Sequence, residues 1–134
     1  MRAGRLPWVI AGAAALGVAA LLLWPGRGRA VEHPAPRDGI GAAGVLRPVA
    51  VPRTPGAIEA YAAARRLPAV LDGLYCYCDC ARHSGHRSLL TCFESEHGAY
   101  CDICVGEAML ASDLAAQGAA LERIRGAIDT RFGD

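Results

Sequence analysis

Apolar and polar positions divide the chain into three regimes. Trp8 to Trp24 is an unbroken run of 17 residues drawn from Trp, Val, Ile, Ala, Gly and Leu, at the lower limit for crossing a bilayer and slightly longer than the usual core of a signal peptide. Residues 31–53 show no apolar period. Pro34, Pro36, Pro48 and Pro52 alternate there with Gly39, Gly41 and Gly44, so backbone donors are removed while the cost of ordering rises, and the segment is expected to be a flexible linker.

From residue 54 the period becomes helical. Thr54-Pro55 reads as a helix start, a hydroxyl cap followed by a proline whose missing N–H costs nothing in the first turn, with Ile58, Tyr61, Ala62 and Arg65 following at helical spacing. Pro68 ends that helix and opens a short turn through Leu71. A short helix starting at Ser84 or Gly85 would carry Leu89, Leu90, Cys92 and Phe93. From about Cys101 the pattern is helical to the end: Ile103, Leu110, Leu114, Leu121, Ile124, Ile128 and Phe132 fall near one stripe, which Gly118 can divide into two helices. The expectation is an all-α protein. Residues 1–30 form a signal peptide or membrane anchor, 31–53 a Pro/Gly linker, and 54–134 a small helical domain with an irregular Cys-rich loop.

Charge sharpens the first boundary. Residues 1–30 hold Arg2, Arg5, Arg27 and Arg29 and no acid, and a basic start before an apolar run is a targeting pattern. Gly28-Arg29-Ala30 offers a small-x-small cleavage site, but Pro25 and the two arginines flank it poorly, so a retained anchor is favoured over cleavage. Either way the domain is expected outside the cytoplasm, in the periplasm or at the cell surface. Beyond residue 30, ten arginines face thirteen acids, about −3. No concentrated basic face emerges, and nucleic acid is not an expected partner.

The chemistry is concentrated in the 29 residues from Cys76 to Cys104, which hold all six cysteines and three of the four histidines. Successive sulfurs of Cys76, Cys78 and Cys80 in an extended strand would stand some ~6–7 Å apart, so a bent loop is needed to gather them. Gathered thiolates suit a soft ion, Cu(I) before others. Cys101 and Cys104 lie one helical turn apart, and a helix N-terminus would favour their thiolates; Cys92, His86 and His97 complete the candidate ligand set. Zinc is the second choice, since Cys101 and Cys104 with two further donors would make a tetrahedral site. An iron–sulfur cluster is less attractive for an exported protein, and Val105 after Cys104 disfavours covalent haem. Two other readings stand beside metal binding: three disulfides stapling a small exported domain, and thiol–disulfide exchange at Cys101/Cys104, although no βαβ pattern precedes it.

Other residues are read more plainly. His83 is expected to face solvent and His33 to lie idle in the linker; His97 is as well suited to capping a helix as to ligating. Tyr77 either shields the sulfurs or packs on the core. Glu107 is expected as an exposed helix carboxylate before a partner of a ligand histidine, and Met109 as a core residue before a thioether ligand. No carboxylate pair, hydroxyl triad or phosphate loop is present, so no catalytic residue is assigned and an enzyme is not the expected class.

The chain also resembles a known family. Cys76-Tyr77-Cys78-Asp79-Cys80, Gly85-His86-Arg87-Ser88-Leu89, Cys92-Phe93, His97-Gly98, Cys101-x-x-Cys104, Glu107, Gly118 and Ile128-Asp129 together look like the PCYCGC-motif family of exported bacterial proteins, over roughly residues 57–132. Tyr75 stands where the motif has proline and Asp79 where it has glycine. Many members look like lipoproteins, whereas no cysteine precedes Cys76 here. The resemblance implies an exported location and supplies no activity. The residues themselves point to an exported or membrane-tethered protein that binds Cu(I), or else Zn, for storage, delivery or sensing, with a metal donor or acceptor protein as its partner.

Overall fold

The computed structural model describes residues 31–133, and the expected anchor or signal segment, residues 1–30, lies outside them. The described residues contain no strand and no helix long and apolar enough to cross a membrane. Among the described residues five α-helices carry the fold: α1 (Ala57–Arg66), α2 (Pro68–Asp72), α3 (Cys80–His83), α4 (Asp102–Ala116) and α5 (Leu121–Phe132). Four short 3-10 segments accompany them, Ala42–Gly44 and Pro48–Ala50 before α1, and Leu89–Phe93 and Glu96–Tyr100 between α3 and α4.

The centre is the packing of α1 on α4. Helix α1 buries Ala57, Ala60, Tyr61, Ala63 and Ala64, and α4 answers with Cys104, Glu107, Ala108 and Ala111. Small side chains on both faces let two helices approach closely. The expected large-residue stripe is therefore met only in part on α4: Ile103 is 39% exposed, and Leu110 and Leu114 are half-buried against the edge of the core. It holds on α5, where Ile124 and Ile128 are fully buried. Gly118, at φ +77°, breaks the helix after α4, a conformation glycine adopts without steric cost.

Helix α1 begins two residues later than its sequence signal. The Thr54 hydroxyl donates to the Ala99 carbonyl instead of capping, and Gly56 takes the N-cap position. Pro68 opens α2 as its first residue, as expected. The helix expected from Ser84 or Gly85 does not form: the short α3 ends at His83, and Leu89–Phe93 is a 3-10 turn that follows Ser88. That turn places Leu89, Leu90, Cys92 and Phe93 in the core, and Phe93 meets Tyr61 edge to face at 4.9 Å. Tyr61 donates its hydroxyl to Ser95 O, and burial is the main cause pushing its pKa up to about 12.

Residues 31–53, whose proline and glycine content predicts a linker, make contacts that a free tether would not. Val45 and Val51 are buried, Arg65 donates to Ala42 O and Val45 O, and Arg125 reaches Pro34 O at 2.8 Å. The carboxylate of Asp72 is fully buried and fixes the arm further. Its oxygens accept from the Arg37 backbone N–H (2.7 Å), the Arg37 and Arg87 guanidinium groups (2.8 and 3.0 Å) and the Ser88 hydroxyl (2.9 Å). Burial would raise the Asp72 pKa, but these donors, Arg37 foremost, hold it below the usual carboxylate range. Prolines lack a donor, so the arm is held through side-chain charge and carbonyl acceptors instead of a ladder.

Candidate metal centre

The loop Tyr75–Asp79 is bent as the sequence argument required. Asp79 N–H closes a turn onto Cys76 O at 3.2 Å, and Asp79 itself sits at φ +60°, ψ +23°. Only glycine visits this left-handed region freely; Asp and Asn follow it among the L-residues. The position at which the motif has glycine is thus one where the backbone calls for it. Asp79 also accepts from the Tyr75 hydroxyl (3.0 Å) and from Arg82 (2.9 Å), and α3 starts immediately after it with Cys80.

Three elements hold the bend. From α4, Glu107 Oε1 accepts the Tyr77 backbone N–H at 2.8 Å. From α5, Asp129 accepts the Tyr77 hydroxyl at 2.7 Å. From the N-terminal arm, His33 Nδ1 accepts the Tyr75 backbone N–H at 3.0 Å while its Nε2 donates to Asp129 at 2.8 Å. An imidazole that accepts at one nitrogen and donates at the other is neutral with its proton on Nε2. Two expectations are corrected here. Glu107 is fully buried, and His33 is a bridge between the arm, the loop and α5. Asp129, which adjoins Ile128 in the family resemblance, is the counterpart that spacing alone did not single out.

The bend gathers the sulfurs. Cys76 Sγ lies 3.4 Å from Cys78 Sγ and 3.5 Å from Cys104 Sγ, and Cys78 to Cys104 is 3.6 Å. Cys80 Sγ lies 3.3 Å from Cys92 Sγ. Their donor atoms form two overlapping sets, Cys76, Cys78, Cys92 and Cys104, and Cys78, Cys80, Cys92 and His97, each with every member within 4.8 Å of the others. A tetrahedral ion with sulfur ligands at 2.3 Å has ligands about 3.8 Å apart, so only small shifts separate these thiols from a ligand shell. All six cysteines are free thiols.

The remaining predicted ligands sit at the edge. His97 Nε2 is 4.0 Å from Cys78 Sγ, and His86 Nδ1 is 3.3 Å from Cys92 Sγ; the two rings meet edge to face at 4.6 Å. His83 is exposed, as expected, and its ring is 6.2 Å from that of His97. Cys101 stands apart from both sets: it is the N-cap of α4, and its Sγ accepts from the Cys104 N–H at 3.5 Å. Met109 is half-buried on α4 and belongs to neither set.

Electrostatics favour the protonated form of the buried thiols Cys76, Cys92 and Cys104. Cys76 is pushed well above the ordinary thiol range, first by its hydrogen bond with Cys104 and then by burial and the nearby Glu107. Cys104 is also pushed up: its contact with Cys76 lowers it, but Cys92 and burial outweigh that. Glu107 is raised to about 7, chiefly by burial, against the lowering effect of Cys76 and the Tyr77 N–H. Its second oxygen, Oε2, has no hydrogen-bond partner. His86 is lowered by burial and then by the neighbouring His97 and His83. Such a site exchanges protons for an ion when loaded, because ligands must be deprotonated to bind.

The donors are sulfur and imidazole, with no carboxylate in either set. That chemistry excludes hard ions such as Mg²⁺ and Ca²⁺, which take oxygen ligands, and leaves thiophilic ones. The cluster is thus one that could hold a metal ion. Comparison with curated proteins and with solved structures finds no match to the chain. The model of one family, described as protein of unknown function with PCYCGC motif, matches residues 42–134, and the chain belongs to that family.

Proposed function

We propose that the protein binds a thiophilic metal ion, Cu(I) in preference to Zn, at the cluster of Cys76, Cys78, Cys80, Cys92, Cys104 and His97, with His86 at its edge. The observation that carries this reading is the convergence of five thiols from four elements of structure, with sulfur–sulfur distances of 3.3 to 3.6 Å. Buried thiols packed this closely give soft ligands in excess of what one tetrahedral zinc site uses, and excess thiolate favours Cu(I). The fold supplies positioning: α4, α5 and the arm bend the loop, and the His83, His86 and His97 side leaves an approach from solvent. The targeting pattern of residues 1–30 supports work outside the cytoplasm, tethered or secreted, where storage, delivery or sensing of the ion would involve a donor or acceptor protein.

The test is a competition titration of the reduced full chain under argon, with a chromophoric Cu(I) chelator and, separately, a Zn(II) chelator. The proposal expects Cu(I) to be withdrawn from its chelator, and the variant with serine at Cys76, Cys78 and Cys104 to lose that capacity while retaining its helical circular dichroism. Failure of the native chain to compete for either ion would refute it.

A further inference from the structure

The six donors of the cluster do not form one mutually close set; they form two that share Cys78 and Cys92. Ligands of a single ion at about 2.3 Å are at most about 4.6 Å apart, so one ion cannot take all six. We infer that the centre holds two ions joined by the thiolates of Cys78 and Cys92, an inner one completed by Cys76 and Cys104 and an outer one completed by Cys80 and His97. This rests on the metal-binding reading above and specifies its stoichiometry.

Two further observations carry it. First, the shared residues lie between the sets: Cys78 contacts Cys76 and Cys104 on one side and His97 on the other, and Cys92 contacts Cys80. A thiolate sulfur has lone pairs enough to bridge two soft ions, as it does in polynuclear sulfur centres. Second, the unshared ligands differ in burial. Cys76 and Cys104 of the inner set and Cys80 of the outer one are buried, whereas His97 is half-buried and is flanked by half-buried His86 and exposed His83. The outer position is therefore the one that exchanges with solvent or a partner, and the inner position the one that retains its ion.

Native mass spectrometry of the reduced full chain, loaded under argon with Cu(I) chloride or with Zn(II) chloride in excess and then desalted, tests this. Two ions per chain are expected for at least one of the metals. The same loaded sample should show a metal–metal scattering path in X-ray absorption. The His97→Ala variant, altered at a half-buried edge residue, should hold one ion and lose that path. One ion in the native chain with both metals would overturn the two-ion centre while leaving metal binding intact; no ion with either would overturn metal binding itself. Two ions retained by His97→Ala would overturn the assignment of the outer ligands.

Discussion

Glu107 Oε1 accepts the backbone N–H of Tyr77 at 2.8 Å, which puts a buried carboxylate from α4 directly behind the residue between Cys76 and Cys78. The bond fixes the bend from which both sulfurs project. It also leaves Oε2 without a partner, and burial is the larger effect, raising the pKa of Glu107 to about 7.

The pH dependence of the metal-free protein follows. A carboxyl whose folded pKa lies above its unfolded value binds more protons when folded, so its contribution to stability falls as pH rises from the unfolded value of 4.5 to about 7. The loss integrates to about 3 kcal/mol at 1.36 kcal/mol per pH unit. Glu107→Gln should remove it. Urea melts of both proteins at intervals from pH 5 to 8 should show the native chain losing stability relative to the variant as pH rises; parallel curves would mean the carboxyl is ionised in the folded protein throughout.

Asp79 is the next sensitive point. At φ +60° an ordinary L-residue costs roughly 1–2 kcal/mol, and a β-branched one more. Asp79→Val should lower stability by at least that amount and weaken ion binding, because Cys78 and Cys80 flank the turn. Asp79→Gly should be close to neutral, the relief of the turn offsetting the lost bonds to Tyr75 and Arg82. Thermal melts of the two variants decide it, and equal losses in both would contradict the backbone argument.

Gly98 is required for space. A Cβ there would stand 3.0 Å from Cys92 O and from the Phe93 ring, both buried. Overpacking of this kind costs about 1–3 kcal/mol. Gly98→Ala should lose that much stability in denaturant melts and loosen ion binding through displaced Cys92; a variant as stable as the native chain would show that the turn yields freely.

Asp72 ties the N-terminal arm to the domain. Removing one partner of a buried charged network costs about 3–5 kcal/mol, here toward the lower end because both arginines are partly exposed, 40% and 41%. Asp72→Ala should lower stability by about 3 kcal/mol and make the arm cleavable near Arg37 by trypsin. Undiminished protection of Arg37 would mean that Val45 and Val51 hold the arm without the ion pairs.

The sequence displayed the helical class and the stretch in which the thiols and imidazoles of the candidate site come together, because cysteine spacing and the α5 period are local signals. It misled on α4, where hydropathy weights large residues while the real interface is built from alanine and cysteine packed on the alanines of α1. Thr54 looked like a cap because its distant acceptor, Ala99 O, is invisible in local sequence. The same applies to His33 and Glu107. A carboxylate one turn into a helix is usually solvated, and a histidine among prolines usually idle; only the fold brings each to a backbone N–H of the cysteine loop. Cys101 shows the converse: a Cys-x-x-Cys spacing suggests a pair, yet Cys104 turns inward to Cys76 and Cys78 while Cys101 caps the helix.

The most direct test of the account is X-ray absorption at the metal edge of the reduced, Cu(I)-loaded full chain. A coordination shell dominated by sulfur, with an imidazole contribution that disappears in His97→Ala, is the predicted result. A shell of oxygen and nitrogen alone, or a loaded ion that persists after Cys76, Cys78, Cys80, Cys92 and Cys104 are replaced by serine, would contradict it.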